Sequence, residues 1–195
     1  MDSSVDKKEI DLALSEQLIR KINLSIENNP GVQHKKILEI QGIKLKPMPV
    51  SKIRVGLMGG LPYDFLSTDV YSGCLPISSL CYGNCPQGLL TIEQGYNFGD
   101  RKLNVLDDKI LEQDFSNLSL NQKWIRQGWN SDISFQEQGW QNALRLGEIA
   151  RNYEKITVYL TKIFSKPSTE ILKKFVEINA EIRVSISALD NKDQL

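Results

Sequence analysis

The length, composition and charge of the chain exclude several classes of protein. With 195 residues, 41% of them hydrophobic, the chain is long enough to bury a sizeable core, and no apolar run approaches the ~20 residues of a membrane-spanning helix. Lysine and arginine together equal aspartate and glutamate at 24 each, so we expect neither a membrane partner nor a broad nucleic-acid-binding surface.

The first 49 residues predict an N-terminal extension made of one helix and a short β segment. In residues 6–27, apolar residues recur at every fourth position from Ile10 to Ile26, which is typical of an amphipathic helix. Residues 37–46 alternate imperfectly between apolar and polar side chains and favour β structure. The segment opens without a signal or transit pattern, so we expect the protein in the reducing cytoplasm.

Residues 50–195 predict a second region, which begins with short strands and loops. Lys52–Met58 and Thr68–Tyr71 have the composition of strands. The glycines that follow Cys85 favour a loop or a small hairpin there. Near Leu106–Phe115, apolar residues that can share one face favour a helix.

From residue 123 onward the sequence alternates between strand and helix signals. Ser134 is a candidate N-cap for the first helix, with Glu137 at the spacing of a capping box, and Pro167 opens the second helix. The predicted elements are Lys123–Arg126, a helix from Ser134 to about Tyr153, Lys155–Leu160, Ser168–Asn179 and Glu181–Ser187. This rhythm predicts βαβ units in a parallel sheet.

Four polar residues fall at or near the carboxyl ends of these strands, where the active sites of βα barrels gather. They are Asp132, Lys162, Ser185 and Ser187. We expect them to border one site, and the alternative for each is ordinary capping or solvation of the surface.

All three cysteines lie in the stretch Gly73–Cys85, spaced Cys-x6-Cys-x3-Cys. Three thiolates this close in a loop rich in Gly, Pro and Ser can converge on one centre. A structural zinc site usually has four protein ligands. The only histidine, His34, lies forty residues upstream of Cys74, so it is a weak candidate for the fourth. Three thiolates suit a 4Fe–4S cluster with one open iron. The alternatives are zinc and buried apolar cysteines; the odd count argues against a disulfide framework.

The stretch resembles the cluster loop of radical S-adenosylmethionine enzymes, whose common pattern is Cys-x3-Cys-aromatic-x-Cys. Tyr82 follows the second cysteine, where the aromatic residue belongs. The first gap is three residues longer than the pattern and the second gap one longer, and Gly83 can absorb the extra residue because glycine reaches conformations closed to other residues. The resemblance covers residues 50–195.

The resemblance implies a fold, cofactors and roles for particular residues. The fold is an incomplete βα barrel of the TIM type, with parallel strands. Cys74, Cys81 and Cys85 would ligate three irons, and S-adenosylmethionine would fill the open site of the fourth. Tyr82 would lie near the adenine, and the four strand-end residues would orient the cofactor. An external donor would supply the electron, and the resulting radical would abstract hydrogen from a peptide or small-molecule substrate.

The chain also departs from the family. The family's Gly-Gly-Glu motif after the second strand is absent, and Gly128–Asp132 occupies its place. Family barrels have six core strands, whereas this sequence predicts at most four, which would leave an exposed sheet edge. We therefore expect the N-terminal portion of a longer barrel, or a second chain that completes it. The alternative function is a non-catalytic metal-binding or interaction module on a remnant of this fold.

Overall fold

The computed structural model describes residues 17, 20, 45–56, 65–74 and 86–185. The predicted N-terminal helix lies outside these ranges, except for Gln17 and Arg20, which are both helical. The chain divides into two compact units, Met1–Pro49 with Gly73–Arg101, and Val50–Ser72 with Lys102–Leu195. Within the described ranges, no helix is both long and apolar enough to cross a membrane.

The second unit is built around a parallel sheet. The described residues form six strands, which are β1 (Phe65–Thr68), β2 (Tyr71–Ser72), β3 (Lys102–Leu103), β4 (Trp124–Gln127), β5 (Ile156–Thr161) and β6 (Glu181–Val184). Strands β1, β4, β5 and β6 form one four-stranded sheet in that order, all parallel. Strands β2 and β3 pair as a small antiparallel ribbon. The predicted mixed α/β fold with a parallel sheet is confirmed, and the described strands do not close into a barrel.

Three helices of the second unit pack side by side, and α3 and α4 contact β5 of this sheet. The four α-helices of the described ranges are α1 (Pro86–Glu93), α2 (Asp108–Ser116), α3 (Glu137–Asn152) and α4 (Thr169–Glu177). Helix α3 packs between α2 and α4. The Tyr159 ring of β5 lies 4.8 Å from the ring of Phe175 on α4, and its hydroxyl donates a 2.9 Å hydrogen bond to the Ala143 carbonyl of α3. The core between β5, α3 and α4 is therefore stabilised by the contact of two aromatic rings and by the hydrogen bond of the Tyr159 hydroxyl.

Strand register divides the sheet into two faces. Ile125 pairs with Thr157 and Gln127 with Tyr159, so these residues share the face covered by α3. Because side chains alternate along a strand, Arg126 and its partner Val158 lie on the face opposite the helices. A charged residue thus lies in the middle of β4, on the face away from the helices.

The structure corrects the prediction made for the stretch after Cys85. A loop or hairpin was expected there, but Pro86–Glu93 forms α1. Proline suits the first helical position, and one glycine inside a helix costs only about 1 kcal/mol relative to alanine. Gly95, at φ +77°, follows the end of the helix, where glycine is the preferred residue. The glycines that signalled a loop therefore include one that ends a helix.

Two other local predictions were wrong. Residues 51–56 form an isolated bridge between Lys52 and Val105, not a strand, and residues 57–58 lie outside the described ranges. In this segment Arg54 binds Asp114 through two hydrogen bonds of 2.8 and 2.7 Å, and the Val55 amide donates to the same carboxylate. The segment is therefore held by the Asp114 side chain of α2 and by backbone hydrogen bonds to Val105. The short strand predicted at Thr68–Tyr71 is instead the end of β1 and the start of β2.

The predicted N-cap at Ser134 was also wrong. Ser134 lies inside a 3₁₀ turn, Ile133–Phe135, and Asp132 is its N-cap. Helix α3 begins at Glu137, after Gln136. The Ser134 hydroxyl donates to the Asp132 carboxylate and accepts from the Phe164 amide at 2.8 Å, so its oxygen binds the loop after β5 and not an amide of α3.

Candidate functional site

Cys74 is the member of the predicted cluster that the structure describes. It follows β1 by six residues and is half-buried, and its amide donates a 2.9 Å hydrogen bond to the Phe98 carbonyl. Gly73 before it has φ +77°, and an added Cβ would lie 3.1 Å from that same oxygen. The entry to the cysteine stretch is therefore tightly positioned against residues 98–100 of its own unit.

The rest of the predicted cluster lies outside the described residues. Cys81, Tyr82 and Cys85 belong to this part, so the convergence of the three sulfurs stays a prediction. Within the described ranges alone, no three His, Cys, Asp or Glu side chains are grouped to hold a metal ion. The residues that are present fit a thiolate-ligated group, because Cys74 is not sealed in an apolar core.

Asp132 is buried and fully engaged at the carboxyl end of the sheet. One carboxylate oxygen accepts from the Ser134 amide at 2.8 Å, the Ser134 hydroxyl at 2.6 Å and the Thr161 hydroxyl at 2.8 Å. The other oxygen accepts from the Lys162 amide at 2.7 Å. The carboxylate thus ties the loop after β4 to the end of β5. Its geometry is that of a positioning residue.

Lys162 and Ser185 follow the ends of β5 and β6, as predicted. Both side chains are exposed. Their backbones are joined to the same edge of the sheet, because the Lys162 amide donates to Asp132 and the Ser185 amide donates to the Thr161 carbonyl at 2.8 Å. The structure therefore places three of the four predicted residues at the carboxyl ends of the parallel strands. Ser187 lies outside the described ranges. Their roles toward a cofactor stay predictions.

Asp69, at the carboxyl end of β1, was not predicted from the sequence. Asp69 follows β1 directly, and its carboxylate is turned toward the loop after β4. It accepts hydrogen bonds from the Asn130 amide, at 3.0 and 3.1 Å to its two oxygens, and from the Ser131 hydroxyl at 3.1 Å. Burial raises the pKa of Asp69 to about 7, against the opposing effect of these hydrogen bonds. Strong shifts of this kind are concentrated at functional sites.

Arg126 is the second residue that the sequence reasoning missed. Its guanidinium lies 4.7 Å from the centroid of the Trp129 ring, at a distance typical of a cation–π contact. Burial lowers the pKa of Arg126; the charge of Asp69 opposes the shift and that of Arg183 adds to it. The available sequence signal was an arginine in a strand otherwise apolar at Trp124 and Ile125.

Several buried polar atoms near the carboxyl ends of β1 and β4 make no hydrogen bond to a described residue. Buried side-chain atoms that make no hydrogen bond within the described ranges include Thr68 Oγ1, Arg126 Nε, Gln127 Oε1 and Asn130 Oδ1. Native proteins leave few such atoms, so a group of them calls for an explanation. Thr68 and Gln127 pair with each other on the face that α3 covers. The atoms that mark the carboxyl ends of β1 and β4 as a candidate binding site are therefore Arg126 Nε and Asn130 Oδ1, together with the shifted pKa of Asp69.

The loop after β4, which begins at Gly128, is fixed in position next to this candidate site. Gly128 has φ +84°, and an added Cβ would overlap the Leu160 carbonyl oxygen. Only glycine adopts this conformation without cost. The loop therefore crosses the end of β5 closely and presents Trp129 and Asn130 beside β1.

Comparison with protein-family models, with curated protein sequences and with solved structures gives no match. Function is therefore inferred from the residues and their geometry.

Proposed function

We propose that the chain is a radical S-adenosylmethionine enzyme, or the N-terminal portion of one, built on an incomplete βα barrel. The observation that carries this proposal is the position of the cysteine stretch. It lies in the chain between β1, an outer strand of a parallel sheet, and α1, which begins directly after Cys85. In the family that this stretch resembles, a helix follows the third cysteine at once.

The order of the strands supports the incomplete barrel. Strands β1, β4, β5 and β6 follow one another in the sheet as they do in the chain, and helices α2, α3 and α4 pack in sequence. A βα barrel repeats this arrangement until the sheet closes. In this proposal further strands, from more of the same chain or from a second chain, would pair with the outer strands.

The thiolates of Cys74, Cys81 and Cys85 would hold the 4Fe–4S cluster. When bound, the cluster would pass one electron from an external donor to S-adenosylmethionine, which would supply the chemistry of hydrogen abstraction from a peptide or small-molecule substrate. Tyr82 would contact the adenine. Lys162, Ser185 and Ser187 would bind polar groups of the cofactor. We assign Asp132 to positioning, because its oxygens already accept four hydrogen bonds.

A second function is a non-catalytic metal-binding or interaction module. It is favoured by the small size of the sheet, which has four strands in the described ranges, against the six core strands of the family's barrels. Such a module would bind a cluster or zinc without cleaving S-adenosylmethionine. We propose a cytoplasmic setting for either function, where thiolates persist.

The two functions differ in one product. With the reconstituted protein under dithionite, we expect 5′-deoxyadenosine to accumulate from S-adenosylmethionine. Cys81→Ala removes a proposed iron ligand and should abolish the product, whereas Ser79→Ala, a matched change in the same stretch, should preserve it. Chromatography of the quenched reaction measures both. A protein that carries a cluster yet forms no 5′-deoxyadenosine would support the module instead.

A further inference from the structure

The face of the sheet opposite the helices carries a cation, Arg126, that has the Trp129 ring as its one contact of charge among the described residues. Arg126 makes no hydrogen bond or ion pair with any residue in the described part of the chain, and its Nε atom is buried. Leaving a buried donor unsatisfied costs about 1–3 kcal/mol, and more for a charged group. Such a cost is seldom tolerated unless the group has another partner.

Among the described residues, the carboxylate whose charge acts on Arg126 is that of Asp69. The carboxylate of Asp69 is engaged by the Asn130 amide and the Ser131 hydroxyl. Asp69 therefore affects Arg126 only through its charge. The five N–H donors of the Arg126 guanidinium therefore make no hydrogen bond to a described residue.

Other charges on this face define what kind of ligand fits. Val158 pairs with both Arg126 and Glu181, so these residues lie in one row across three strands. Arg183, two residues further on β6, is paired with Glu181 at 2.6 Å. The charges of Arg183 and Glu181 offset each other, which leaves the positive charge of Arg126 and the carboxylate of Asp69.

We propose that Arg126, stacked on Trp129, binds the carboxylate of a small molecule at the carboxyl ends of β1 and β4. A planar guanidinium matches a carboxylate through two parallel hydrogen bonds. Because the charge of Asp69 also acts at this site, a monoanion is repelled less than a doubly charged phosphate. The unpartnered Asn130 Oδ1 can accept an N–H or O–H of the same molecule. The site is independent of the cysteine stretch, and its test needs no cluster.

The test uses the full chain labelled with ¹⁵N and sodium acetate as the probe, at constant ionic strength set with sodium chloride. The indole N–H resonance of Trp129, assigned with Trp129→Phe, reports on the ring beneath Arg126. We expect a saturable shift with acetate. Arg126→Met should weaken the affinity by about tenfold or more, because a charge-assisted pair is lost. Lys173→Met, which removes an exposed cation on α4, should leave the affinity unchanged.

Thermal unfolding separates binding from a structural role. Because Nε of Arg126 has no partner within the described ranges, Arg126→Met should melt no lower than the unchanged protein. Arg126→Lys keeps the positive charge but cannot donate two parallel hydrogen bonds to a carboxylate, so it should also bind acetate more weakly. The proposal is overturned if acetate gives no saturable shift, if Arg126→Met binds acetate as well as the unchanged protein does, or if inorganic phosphate binds about tenfold more tightly than acetate.

Discussion

Gly139→Ala is expected to destabilise the protein, although helix propensity alone predicts the opposite. Alanine is favoured over glycine inside a helix by about 1 kcal/mol. In α3, however, a Cβ at this position would overlap the Ile133 carbonyl oxygen and come within 2.7 Å of the Tyr71 ring. A backbone oxygen cannot move aside as a side chain can. We therefore expect a net loss of about 1–3 kcal/mol in the free energy of unfolding, the usual cost of overpacking.

Urea denaturation measures this loss, and the neighbouring residue supplies the control. Gln138 is exposed one position earlier in α3, so Gln138→Ala should change the free energy of unfolding by no more than about 0.5 kcal/mol. A rise in stability for Gly139→Ala would mean that α3 does not approach Ile133 as closely as described.

Asp132→Ala is expected to have the largest effect on stability. The change removes the acceptor of four hydrogen bonds and leaves the Ser134 and Lys162 amides without their partner. Hydrogen bonds to charged groups contribute about 1.5–3 kcal/mol each, though not additively. We expect the free energy of unfolding to fall by about 3 kcal/mol or more. Glu112→Ala, which removes an exposed carboxylate from α2, should have an effect within about 0.5 kcal/mol.

The same measurement separates positioning from contact with the cofactor. If Asp132 acts through the loop it holds, its loss should lower stability even without cofactor. Lys162 has an exposed side chain, so Lys162→Met should leave stability unchanged and weaken only the binding of S-adenosylmethionine. An Asp132→Ala protein as stable as the unchanged one would contradict the positioning role.

The regular elements after residue 123 were predictable because their signals are local. Strand β5 is rich in β-branched and aromatic residues, and its boundaries, Ile156–Thr161, differ from the prediction by one residue at each end. Helix α4, Thr169–Glu177, lies within the predicted Ser168–Asn179, and it begins after Ser168, whose hydroxyl accepts a hydrogen bond from the Ile171 amide at 3.2 Å. The parallel order followed from the alternation of strands and helices.

The candidate binding site was not predictable, because it depends on tertiary pairing. Asp69 and Asn130 lie 61 residues apart in the chain and meet only when β1 pairs with β4. Strand β1 is four residues long and ends in Ser67-Thr68, which gives no periodic signal. Whether Arg126 has a hydrogen-bond partner likewise depends on the strand register, because the register decides on which face of the sheet its side chain lies. Asp132 lies after β4 as predicted, but its role as a site residue stays a prediction, and its four hydrogen bonds come from Ser134 and from the end of β5 at Thr161 and Lys162.

Anaerobic reconstitution with iron and sulfide tests the central claim most directly. If Cys74, Cys81 and Cys85 converge, the protein should become brown and carry one 4Fe–4S cluster per chain, identified by Mössbauer and electron paramagnetic resonance spectroscopy. Alanine at any one of the three positions should abolish stable assembly, with only a mild effect on folding. A colourless protein that binds one zinc ion per chain would contradict the account.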